Sequence, residues 1–178
     1  MKFLNAYLDY ENKVINDLIS KIKKVFESEG KAPYYDTESN KKEDEFLELI
    51  SFGPPIKFKR RNNVPWEVSR DDLESAIKLT LRKGSIQRPT DYLHMYGKSN
   101  FVGTPLHLII SLLPNDEYAN LSLIGMKLVH KKFGESIIDE IEFEKDIIKL
   151  TTNSEGIKSI SMKYLEIDDD QFKGLIHG

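Results

Sequence analysis

The chain has 178 residues, 39% of them apolar and 31% charged, with a formal net charge of −3 and no cysteine. That length gives one domain with room for a proper core, and the charge argues against a general nucleic-acid binder, which needs a domain-wide basic excess. A chain without cysteine has no disulfide framework and no thiolate metal site, which suits the reducing cytoplasm.

The longest apolar run, near Leu106 to Leu113, is too short to cross a bilayer, and Met1-Lys2-Phe3-Leu4 gives way to Asn5 and Asp9 too early for a secretory signal. In chain order, Val14, Ile15, Leu18, Ile19, Ile22, Val25 and Phe26 recur at intervals of three and four, which predicts a helix over 13–29 stopped by Gly30. Residues 31–43 read as a polar connection. A second amphipathic helix is expected over 46–53, closed by Gly53 before Pro54 and Pro55. Residues 56–60 alternate apolar and basic side chains, as an extended segment would. Ser69, followed three residues later by Asp72, is a near capping box that predicts a helix over 71–83, closed by Gly84. Thr104 and Pro105 open a helix over 105–113, and a further helix is expected from about 118 to 133, ending at Gly134. Residues 156–167 alternate in a strand-like way, and 138–178 receive no architecture of their own.

Gly53 and Gly84 lie 31 residues apart, close to the period of a stacked helical repeat. Gly103-Thr104-Pro105-Leu106-His107 resembles the opening of an ankyrin repeat, and the helices before Gly53 and Gly84 resemble its second half. Val64-Pro65-Trp66-Glu67 takes the place of Thr-Pro-Leu-His in a unit ending at Gly84. The resemblance covers about residues 44–137. It implies a mainly α fold of stacked helical hairpins with irregular insertions, the alternative being a single α+β domain. The layout is then an N-terminal helix and polar connection over 1–43, repeats over 44–137, and a C-terminal segment over 138–178. Helical repeats stack to form a core while their projecting turns vary freely, so the implied function is protein–protein interaction, in the manner of an inhibitor or immunity factor that binds a partner protein.

Catalytic signatures are sparse. Gly97-Lys98-Ser99 lacks the glycine of a phosphate-binding loop, since Tyr92 stands at that position, and His94, His107, His130 and His177 have no second ligand at metal spacing. Asp168-Asp169-Asp170 lacks the rest of a calcium loop. No cofactor or metal is expected, and the chain does not read as an enzyme. One alternative keeps a small metal-dependent nuclease, with Glu142 and Glu144 holding a cation beside Lys145; another keeps a nucleic-acid-binding module on the basic run Lys57, Lys59, Arg60 and Arg61. The partner surface is expected on that basic run and on the loop 88–101, which is rich in the Tyr, Met and Arg side chains favoured in interfaces. Its centre is placed at Arg60, Arg61, Tyr92, His94 and Tyr96, and the chain is expected in the cytoplasm with no membrane attachment.

Overall fold

Helix α1 (Phe3–Glu27) begins well before the predicted position and runs through both of the molecule's hydrophobic cores. The computed structural model describes residues 2–28, 30–35, 42–60, 65–94, 103–142, 144–153 and 155–177, without the side chains of 42–45 and 94. The first helical turn has no side-chain cap. Instead the backbone N–H of Phe3 donates to the Leu165 carbonyl at 3.0 Å, which satisfies one of the orphan donors of a helix start and ties α1 to the C-terminal part of the chain. Phe3 and Tyr7 enter one core, while Val14, Ile15, Leu18, Ile19, Ile22 and Phe26 enter the other.

The first core lies against an antiparallel sheet in the order β1 (Lys31–Tyr35), β2 (Lys42–Phe52), β3 (Ile56–Arg60) and β4 (Trp66–Val68). It is completed by α2 (Arg70–Lys83), α3 (Pro89–His94), α4 (Gly103–Ile110) and α5 (Asn115–Ala119). The second core lies against another antiparallel sheet, in the order β5 (Lys127–His130), β6 (Gly134–Ile141), β7 (Ile147–Thr152) and β8 (Gly156–Ser161). It is closed by a short turn of 3-10 helix, Met162–Tyr164, and by α6 (Asp169–His177).

The molecule is therefore α+β, and the expected stack of ankyrin-like hairpins is overturned. Residues 46–53 do not form a helix: Leu47 and Leu49 face one side of β2, paired across to Arg60 and Phe58, with a register shift between Leu49 and Ser51. A short apolar run fits either period, and here cross-strand pairing on both flanks decides for the strand. Gly53 then sits in a hairpin turn, outside the left-handed region. Residues 64–84 hold a strand followed by one helix, and 104–134 hold α4, α5 and strand β5. Gly125, with φ at 82°, breaks the predicted helix 118–133 before β5 begins.

Other expectations hold in whole or, for the strand-like reading of 156–167, only as far as Ser161, where the chain enters the 3-10 turn Met162–Tyr164. Ser69 caps α2, its hydroxyl accepting from the Asp72 N–H at 3.0 Å, and Gly84 ends that helix with φ at 72°. Residues 56–60 are extended, and 156–161 form a strand.

Candidate functional site: an open sheet face beside a charged cleft

Alternation along β5 to β8 turns Leu128, Ile138, Ile148 and Leu150 inward and leaves the other face uncovered by any apolar cluster among the described residues. One row of that outer face crosses all four strands, with Lys127 opposite Ile137, Ile137 opposite Thr151 and Thr151 opposite Ile157. Val129 stands diagonally beside Ile137 on β5. Ile137, Val129 and Ile157 are 38%, 57% and 67% exposed, so this face presents an apolar band to solvent. Single exposed apolar residues are ordinary, but three in one band on a rigid sheet are not.

The next row on the same face is charged. Past a register shift between Ile138 and Glu140, Glu140 pairs with Lys149, and this row forms one wall of a cleft of about 650 Å³. The opposite wall comes from the end of α2 and the start of α3, with Lys83, Gln87, Arg88 and Asp91. The Glu140 carboxylate binds two ammonium groups, Lys83 at 2.5 Å and Lys149 at 2.7 Å. These hydrogen bonds, Lys149 first and then Lys83, hold the Glu140 carboxyl below its usual range, while the Glu140 carboxylate raises the Lys149 ammonium. Lys149 and Lys145 each lie 3.8 Å from Glu142, and Arg88 reaches the Asp91 carboxylate at 3.1 Å. Glu144 completes the rim. Acids and bases alternate across the cleft, which therefore suits a surface of mixed charge rather than a simple anion or cation.

The wall carrying Arg88 is built on a buried polar network. Tyr92 is fully buried; its hydroxyl lies 2.9 Å from the Thr80 hydroxyl and accepts from the Gln87 N–H at 3.0 Å. Burial outweighs these hydrogen bonds and pushes the Tyr92 hydroxyl up to about 12, so it stays protonated. His107 Nδ1 lies 2.9 Å from the Gln87 carbonyl, which ties α4 to the segment before α3.

The anticipated site is not assembled. Tyr92 is a core residue with no exposed ring, and loop composition alone could not reveal that its hydroxyl joins Thr80 of α2 to the Gln87 N–H. His94 ends α3. Arg61, Tyr96 and the Gly97-Lys98-Ser99 segment lie outside the described residues. Arg60 stacks its guanidinium 5.8 Å from the centre of the Tyr34 ring, while Lys57 and Lys59 pair across strands with Glu67 and Glu48 at 2.8 and 3.4 Å. Two of the four cations of the basic run, Lys57 and Lys59, are thus paired with carboxylates on their own sheet. Residues 88–91 of the predicted loop and the acidic segment around Lys145, read separately in the sequence, meet in the charged cleft. The apolar band was missed because Gly134-Glu-Ser-Ile-Ile-Asp-Glu-Ile141 does not alternate apolar and polar residues, so which isoleucine faces outward is set only by strand pairing.

Among the described residues no three His, Cys, Asp or Glu side chains converge to hold a metal ion, and none of the helices is long and apolar enough to cross a membrane. No family model, curated protein or solved structure matches the chain.

Proposed function

We propose that the chain is a protein–protein interaction module that receives its partner on the outer face of the β5–β8 sheet, with the charged cleft as the adjoining rim. The observation that carries this reading is the apolar band of Val129, Ile137 and Ile157 beside Glu140, Lys149, Lys83 and Arg88. An apolar centre that loses water, bordered by charges that fix register and reject wrong partners, is the anatomy of a specific interface. The paired state of Lys57 and Lys59 weighs against nucleic acid as the partner, because phosphate would have to displace carboxylates already in place. We place the protein in the cytoplasm, where a chain without cysteine loses nothing to reduction.

The test is affinity capture from the native host with the wild-type chain and with an I137D/I157D variant, read by mass spectrometry. A partner held by the wild type and absent from the variant supports the reading, and loss of that partner's own activity on capture would make the chain an inhibitor. Equal capture by both proteins removes the sheet face from the interaction.

A further inference from the structure

A groove runs along an exposed flank of α1. Its first half encloses about 530 Å³ over an apolar floor that includes Tyr10, Val14, Leu121, Phe172 and Ile176, with α6 as its wall. Its second half, about 300 Å³, shares Val14, Asp17 and Leu121 and continues to Lys24 with no α6 residue on its lining. Along the rim, Asp9, Lys13, Asp17 and Lys21 stand one helical turn apart with alternating sign. Lys21 pairs with Glu117 at 2.6 Å, whereas Asp9, Lys13 and Asp17 form no salt bridge among the described residues.

We propose that a second copy of this chain docks on this flank, with the two α1 helices antiparallel about a two-fold axis perpendicular to them. The midpoint of α1 is Ile15. An axis there sets Asp9 against Lys21 of the second copy and Lys13 against Asp17 of the second copy, and the same contacts repeat reciprocally, as an isologous interface requires. A parallel in-register pair would set Asp on Asp and Lys on Lys. Antiparallel pairing about Ile15 is the register that matches all four charges. The axis lies in the plane of contact, so α6 of the second copy remains on the same side of the helix pair but at its opposite end. It therefore stands over the half of the groove that α6 of the first copy leaves without a wall, and the exposed part of the apolar floor is covered twice.

Sedimentation velocity of the full chain over a concentration series tests this. The wild type is expected to dimerise, more weakly as salt is raised. K13D or D17K alone places like charges together and should raise the dimer dissociation constant by about tenfold or more, while the swap K13D/D17K restores the pairing and the wild-type constant. These side chains are exposed, so at concentrations well below the wild-type dissociation constant, where no dimer stabilises the fold, the melting temperatures should agree closely. A wild type that stays monomeric throughout the series, or single reversals that dimerise as tightly as the wild type, overturns the proposal.

Discussion

The guanidinium of Arg82 grips the carboxylate of Glu11 at two points between the two cores, Nε to Oε1 at 2.8 Å and Nη2 to Oε2 at 2.9 Å. Arg82 is fully buried and Glu11 is 2% exposed. The Tyr7 hydroxyl donates to Glu11 at 2.8 Å, and the third guanidinium nitrogen, Nη1, donates to the Glu142 carbonyl at 2.9 Å. Burial, reinforced by the Glu11 carboxylate, pushes the Tyr7 hydroxyl well above its ordinary value, so it remains a donor. One cluster thus joins α1, α2 and the end of β6, which carries the charged cleft.

Removing one partner of this pair should cost far more than removing both. Arg82→Met leaves the buried Glu11 charge with only the Lys78 ammonium 4.0 Å away, which is expected to destabilise by about 3–5 kcal/mol. Glu11→Leu combined with Arg82→Met should recover much of that loss. Urea denaturation of the two variants decides; equal losses would mean that the pair is accessible to water.

Gly103 should tolerate no side chain. A Cβ there would run into the Pro89 carbonyl oxygen and the Leu93 side chain, where α3 and α4 cross closely. Gly103→Ala is expected to cost about 1–3 kcal/mol through this overpacking. At Gly84 the obstacle is the left-handed backbone, with Ile124 Cβ 3.2 Å from an added Cβ, and Gly84→Ala should cost about 1 kcal/mol. Thermal melts of both proteins, ranked against the wild type, test the order.

Acid should loosen the β5–β6 turn. His130 Nδ1 accepts from the backbone N–H of Lys132 at 3.1 Å and of Phe133 at 3.3 Å, an arrangement open only to the neutral ring. Burial and the Lys132 ammonium lower its pKa. The unfolded chain then binds a proton more readily than the folded one, so stability falls as pH drops below the unfolded value of about 6.5. His130→Asn keeps an acceptor without titrating. Urea midpoints measured from about pH 7.5 to 5 should decline less steeply for this variant than for the wild type; parallel profiles would show that other groups carry the acid sensitivity.

Much of the first core could be read locally. The α1 stripe, the Ser69 cap of α2 and the extended residues 56–60 each rest on signals within a few positions. Residues 46–53 could not, because Leu47 and Leu49 become a strand face only when β1 and β3 pair on either side. The stretch beyond Gly134 failed for the same reason: Ile138 finds Leu150 on the partner strand, and the register shift that follows before Glu140 leaves no mark in the local periodicity. The candidate site was legible in fragments. Arg88 and the acids near Lys145 stood out separately, but only the packing of α2 against β6 makes them walls of one cleft. Tyr92 misled because an aromatic in a predicted loop carries the same composition signal whether it anchors a partner or fills a core.

The most direct test of partner binding on the β5–β8 sheet is backbone hydrogen exchange of the chain, free and saturated with its captured partner. Protection should appear across residues 127–161 and at 83–91, and little should change in β1 to β4. Protection confined to β1–β4, with residues 127–161 exchanging as in the free chain, would contradict it.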